Sequence, residues 1–192
     1  MTAGPRDRIL AAGLDVFGRH GFRQTSMALV AEAARMSRPA LYQHFKSKED
    51  LFRAVGERLV VDLVEAAGAA GRADGPTVDR LCRVLSVKVE LTGPTVAAAR
   101  RRELFAEANS LAPDLPAAFR AGVVAVLADV LAQAGTADTE TAALLFDSAT
   151  GIALEPSSSD EHARRLRRLV ELVVGGLTRH RTALGEPPCG TR

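Results

Sequence analysis

At 192 residues and 47% hydrophobic content the chain can bury one large or two small cores. Its 4% aromatic content, lack of Trp and long Ala/Leu/Val/Arg/Glu stretches favour an all-α fold over a sheet. The net charge of +2 is unevenly divided: residues 1–48 hold eight Lys/Arg against three acids, a balance of +5, and the remainder carries −3, so affinity for a polyanion is concentrated near the N-terminus.

In chain order, a first helix is predicted from near Pro5, with Ile9, Leu10, Leu14 and Phe17 on one face. Gly21, after His20, suits a left-handed stop, and Phe22 can fold back onto the helix. Thr25 or Ser26 can cap a second helix running to about Ala34, and Ser37 a third, with Pro39 tolerated in its first turn. Ser47-Lys48-Glu49-Asp50 has the form of a capping box, predicting a fourth helix through Leu51, Phe52, Val55, Leu59 and Leu63 to about Ala70, broken by GRADGP at 71–76. A fifth helix fits 77–91 before Thr92-Gly93-Pro94, and a sixth fits 95–109. A seventh runs from Asp114 to Ala134, ended by Gly135, with Pro116 as a point for a kink. The eighth fits 138–154, stopped by Glu155-Pro156, and Ser158 with Glu161 opens a ninth ending near Ala183. GEPPCGTR reads as a disordered tail, and no internal repeat is present. The expected division is 1–48, 49–184 and a tail at 185–192.

Two cysteines, Cys82 and Cys189, are too few for a disulfide framework. No apolar run approaches the ~18–20 residues of a membrane span, and MTAGPRDR lacks the apolar segment of a signal peptide. A cytoplasmic setting with no membrane partner is the expectation.

Residues 22–48 read as two short helices joined by a tight polar turn, a DNA-binding helix-turn-helix. An α-helix fits the major groove and its first turns touch base edges. Arg38 begins the third helix, where a guanidinium can donate two hydrogen bonds to guanine; Pro39 and Ala40 can meet a thymine methyl, and Gln43 can read adenine or hold a phosphate. Thr25, Ser26 and Ser37 at helix starts, with Tyr42, His44, Lys46 and Lys48, supply donors and charge for the DNA backbone. Phe17, Phe22, Val30, Leu41 and Phe45 are assigned to the core of this unit, without a contact role. His20, His162 and His180 lack ligand spacing, and no Gly-rich phosphate loop, nucleophile elbow or placed carboxylate pair is present, so neither enzyme activity, metal nor cofactor is expected. Arg100-Arg101-Arg102 and the arginines at 164, 165, 167 and 168 read as solvated faces paired with nearby acids.

The pattern Ile9-Leu10-x-Ala12, Phe17, Gly21-Phe22, Thr25-Ser26, Val30-Ala31 and Ser37-x-x-x-Leu41-Tyr42-x-His44-Phe45-x-Ser47-Lys48-Glu49-x-Leu51 resembles the N-terminal domain of the TetR family of bacterial transcriptional repressors. The likeness covers roughly the first 50 residues, and the nine-helix layout generally. Four positions depart from it. Arg35-Met36 stands where the family usually has Gly-Val, and an Arg in a left-handed turn costs ~1 kcal/mol relative to Gly, predicting a slightly reshaped turn. Ala28 and Leu29 replace residues that are often basic and polar, which leaves more of the reading to Arg38 and Gln43.

The resemblance implies a small-molecule effector pocket among helices four to seven and a homodimer through helices eight and nine. The first residues to examine in the pocket are Leu85, Val89, Phe105, Phe119, Val123 and Phe146, with Arg102 or Glu103 as a polar anchor; ordinary core is the competing reading for each. Their composition suggests a hydrophobic effector. The ninth helix independently carries too wide an apolar surface for one packed face, and the dimer residues expected are Thr150, Leu154, Leu166, Leu169, Val170, Val173, Gly176 and Leu177. Such a dimer would bind a palindromic operator and be released by the effector. The alternative is a helical ligand-binding or scaffold protein without specific DNA binding. An activator on the same fold is not separable from a repressor by sequence.

Overall fold

The computed structural model describes residues 4–92, 98–136, 138–155 and 158–183, and the regular elements among them are all α-helices. They are α1 (Pro5–Gln24), α2 (Met27–Ala33), α3 (Arg38–His44), α4 (Lys48–Arg72), α5 (Thr77–Thr92), α6 (Ala98–Leu111), α7 (Asp114–Gln133), α8 (Thr139–Leu154) and α9 (Ser159–Ala183). Two compact units result, one from Met1–Asp62 with Thr92–Phe119 and one from Leu63–Leu91 with Arg120–Arg192, so α4 and α7 each contribute to both. The predicted stop at Gly93-Pro94 and the tail at 185–192 lie outside the described residues.

The first unit is built on the apolar spacing of its short helices. Ile9, Phe17, Val30, Leu41, Phe45 and Leu51 are fully buried, and Leu104 and Ala108 of α6 pack against the same core. Phe52 meets Phe17 and Phe22 edge-on at 5.1 and 5.0 Å between ring centroids, and Phe22 stacks back on Phe17 at 6.1 Å. Each such pair adds roughly 0.5–1.5 kcal/mol beyond the area it buries. Leu14 departs from the expected face: it is 39% exposed, and Val16 takes its place inside. Gly21 has φ 75° and ψ 171°, a conformation essentially confined to glycine, and it turns the chain where α1 was expected to stop. Arg53 of α4 clamps Asp114 at the start of α7 through two hydrogen bonds of 3.0 and 2.5 Å, which hold the Asp114 carboxyl below its ordinary range.

In the second unit α7 supplies the centre, with Val123, Val124, Leu127, Val130 and Leu131 buried. By length and composition α7 could cross a membrane, contrary to the expectation that no segment approaches that limit. Its buried Val/Leu face is that of a core helix, and Arg120 pairs with Asp147 of α8 at 3.0 and 2.8 Å. Leu81 and Val84 of α5, Leu145 of α8 and Val170 of α9 are buried in the same unit. α7 ends in a Schellman motif: Thr136 N–H donates to Leu131 O and Gly135 N–H to Ala132 O, with Gly135 at φ 83°. Asp138 caps α8, Ser158 caps α9 through Glu161 N–H, and Arg80 donates to the Gly71 carbonyl to close α4. Arg167 of α9 bridges Asp79 of α5 at 2.7 Å beside half-buried Cys82, whose thiol burial pushes up.

Candidate nucleic-acid interface

The α2–α3 unit is assembled from backbone upward. Ser26 accepts a hydrogen bond from Leu29 N–H and Ser37 from Ala40 N–H, so each hydroxyl satisfies one of the donors left bare at its helix start. Between them α2 ends in a second Schellman motif, with Met36 N–H donating to Ala31 O and Arg35 N–H to Glu32 O. Arg35 sits at φ 53°, the one positive-φ residue other than glycine among the described residues. The expected reshaping of this turn therefore does not occur: the regular motif is kept and an L-residue bears its cost, about 1–2 kcal/mol. Half-buried Met36 packs against the core below it.

α3 is anchored by one face and free on the other. Leu41 and the following Phe45 are buried, whereas Arg38, Pro39, Tyr42, Gln43 and His44 are exposed and Ala40 is half-buried. Seven residues span about 10 Å, so these side chains form one short projecting surface. Lys46 is exposed beyond it, with its N–H donating to Asp50, while Ser47 caps α4 through Asp50 N–H. None of the ion pairs among the described residues engages Arg35, Arg38 or Lys46. Their charge is directed outward.

Two expected backbone-contact residues turn inward. Thr25 is 3% exposed and its hydroxyl donates to the Gly21 carbonyl at 2.7 Å; that carbonyl is left without its helical partner by the Gly21 conformation, so Thr25 braces the α1–α2 corner and its side chain is not a phosphate donor. Lys48 is half-buried, donates to the Phe22 carbonyl at 3.0 Å and lies 4.3 Å from the Phe22 ring centroid. Its ammonium steadies the same corner. Residues the sequence reading passed over also act here. Arg6 lies 5.1 Å from the Phe45 ring centroid, and α6 meets α1 through Arg23 and Glu107 at 2.9 Å. Arg100 and Glu103 of α6, paired with each other, stand against Gly21. Arg100 therefore faces α1 rather than solvent alone.

Of the residues expected in a pocket, exposed Arg102 and Phe105, half-buried Glu103 and buried Phe119 belong to the first unit. Half-buried Leu85 and Phe146 and buried Val123 belong to the second, and the Val89 side chain lies outside the described residues. Of the dimer residues, Leu166 and Val170 are buried within the chain itself, a correction, because they recur at four-residue spacing on the α9 face that packs on α8. Thr150, Leu169, Val173, Gly176 and Leu177 are half-buried, and the Leu154 side chain lies outside the described residues. The strongly exposed apolar residues of these helices are Leu172 (53%) and Leu144 (61%), neither of which was singled out for an interface. The groups of His, Cys, Asp and Glu among the described residues include none that could hold a metal ion.

The sequence profile of bacterial regulatory proteins, tetR family, matches residues 9–55, which cover most of α1, α2, α3 and the start of α4. The HTH-type transcriptional activator FasR of Mycolicibacterium smegmatis is 38% identical over 76 residues, 40% of this chain and 35% of that protein. This chain thus spans about a third of the length of that relative. A solved transcriptional regulator from Rhodococcus sp. RHA1 superposes with a TM-score of 0.71 at 26% identity, over 91% of this chain and 97% of that one. The regulator FadR of Bacillus subtilis, solved in complex with stearoyl-CoA, shares the fold with a TM-score of 0.67 at 16% identity, over 88% of this chain and 98% of its own.

Proposed function

Because the chain belongs to the tetR family of bacterial regulatory proteins, we propose that it is a cytoplasmic transcriptional regulator. In this reading it is a homodimeric repressor that binds a palindromic operator and is released by a hydrophobic small molecule. One observation carries the DNA reading: α3 is held to the core by Leu41 and the following Phe45 and projects Arg38, Pro39, Tyr42, Gln43 and His44 together, next to the unpaired charge of Lys46. Arg38 reads guanine O6 and N7; Pro39 and Ala40 meet a thymine methyl; Gln43 reads adenine or joins Tyr42, His44, Lys46 and the capping serines on phosphates. Dimerisation uses the outward apolar stripe of α8 and α9 that includes Leu144, Leu169, Leu172 and Gly176. It sets two reading heads about 34–36 Å apart, one helical turn of DNA.

The effector preference for apolar chemistry is supported by half-buried Leu85 and Phe146, and by the stearoyl-CoA that FadR of Bacillus subtilis carries on the same fold. Release follows from linkage: a ligand that favours one setting of the heads disfavours the operator by the same free energy with which DNA opposes the ligand. Selection of duplexes from a random pool by the intact protein tests the reading. An inverted repeat is the expected consensus, and recovery of unenriched sequence would leave a helical scaffold in its place.

A further inference from the structure

We infer that Arg35, in the turn between α2 and α3, is an additional DNA-backbone anchor that clamps one phosphate at the entry to the reading helix; the inference rests on the DNA-binding reading above. The chain builds the same Schellman turn twice. At the end of α7 it places glycine, Gly135, in the left-handed position, and at the end of α2 it places an arginine, Arg35, at φ 53°. Glycine is the residue that this geometry favours, so arginine at the second turn carries a strain that the turn itself does not require.

Nothing within the described chain offsets that strain. The Arg35 side chain is exposed, and none of the side-chain hydrogen bonds or ion pairs among the described residues includes it, exposed Glu32 three residues before it notwithstanding. Backbone strain persists where the surrounding structure imposes it and a site uses it. Here both neighbours fix the position: buried Ala34 and half-buried Met36 hold the turn to the core, and Ser37 starts α3 two residues later. A guanidinium so placed lies just ahead of the α3 N-terminus, outside the helix whose first residues reach base edges. The groups bordering the groove at that point are phosphates, for which a planar five-donor cation is suited.

The test uses the intact protein on its selected operator, with log affinity measured against log salt for wild type, Arg35→Gly and Arg35→Lys. Arg35→Gly is expected to raise the urea midpoint, because the turn relaxes, and yet to lower the salt slope by about two, one phosphate for each protomer of the dimer, with the selected consensus unchanged. Between 50 and 200 mM salt its affinity then falls roughly 12-fold less than that of wild type. Arg35→Lys, which keeps the charge, is expected to retain the wild-type slope. Equal slopes and affinities for wild type and Arg35→Gly would overturn the anchor while leaving the DNA reading intact. Failure of wild type to prefer any duplex would overturn the reading on which the anchor rests.

Discussion

Replacing Gly21 by alanine tests the corner on which α1, α2 and Lys48 converge. Its φ of 75° and ψ of 171° place a Cβ in a region that L-residues adopt at a cost of about 1–3 kcal/mol. Alanine also narrows the unfolded ensemble, which offsets about 0.4–1 kcal/mol. The new Cβ would meet the ends of the Arg100 and Glu103 side chains; flexible tips can move, so this contributes little beside the backbone. The net loss is therefore about 1–2 kcal/mol, and with a urea m-value of about 2 kcal/mol/M the midpoint should drop by roughly 0.5–1 M. Urea unfolding followed by circular dichroism at fixed protein concentration measures it, since the stability of any dimer depends on concentration. Repeating the substitution in an Arg100→Ala background separates the two causes. Backbone strain predicts the same loss in both backgrounds, with coupling below about 0.5 kcal/mol. A loss under about 0.5 kcal/mol, or one that disappears with Arg100, would refute the reasoning.

The contrast between two lysines follows from their surroundings. Lys48→Met should lose about 1 kcal/mol of stability with its bond to the Phe22 carbonyl, whereas Lys46→Met should leave the urea midpoint unchanged and lower the salt slope of DNA binding by about two, one contact for each protomer. Arg53 and Arg120 hold Asp114 and Asp147 below their ordinary pKa. A carboxylate so depressed contributes stability that is present above its unfolded pKa and is lost as pH falls through the folded one. The urea midpoint of wild type should thus decline more steeply below about pH 5 than that of an Arg53→Ala/Arg120→Ala variant, and parallel curves would deny the pairs that role. Leu144→Glu with Leu172→Glu should convert a dimer to a monomer in sedimentation at micromolar concentration, with the helical circular dichroism retained; an undisturbed dimer would move the interface elsewhere.

The helices were legible because their ends are written locally. Ser37, Ser47, Asp138, Ser158 and Gly135 each act through a neighbour two to four residues away, within the reach of a motif. The exposed row on α3 follows likewise from one helical repeat with a buried Leu41. What the sequence concealed depends on distant partners. Thr25 and Ser26 are equivalent as caps on paper, and only the bare Gly21 carbonyl draws the Thr25 hydroxyl inward. Lys48 reads as a surface cation until Phe22, 26 residues earlier, supplies both a carbonyl and a ring. The packing of α6 on α1 joins Arg23 to Glu107 across 84 residues, beyond any periodicity. On α9 the apolar arc was visible, but its division between Leu166 and Val170 inside and Leu172 outside is set by where α8 lies.

The claim that the exposed face of α3 reads the major groove is tested most directly by methylation interference on the selected operator, since dimethyl sulfate marks guanine N7 in the major groove and adenine N3 in the minor groove. Interference is expected at guanine N7 in both half-sites, about one helical turn apart, with loss of one such position per half-site in Arg38→Ala and an affinity cost of about 1–3 kcal/mol for each half-site. Interference confined to adenine N3, or an unchanged pattern without Arg38, would contradict it.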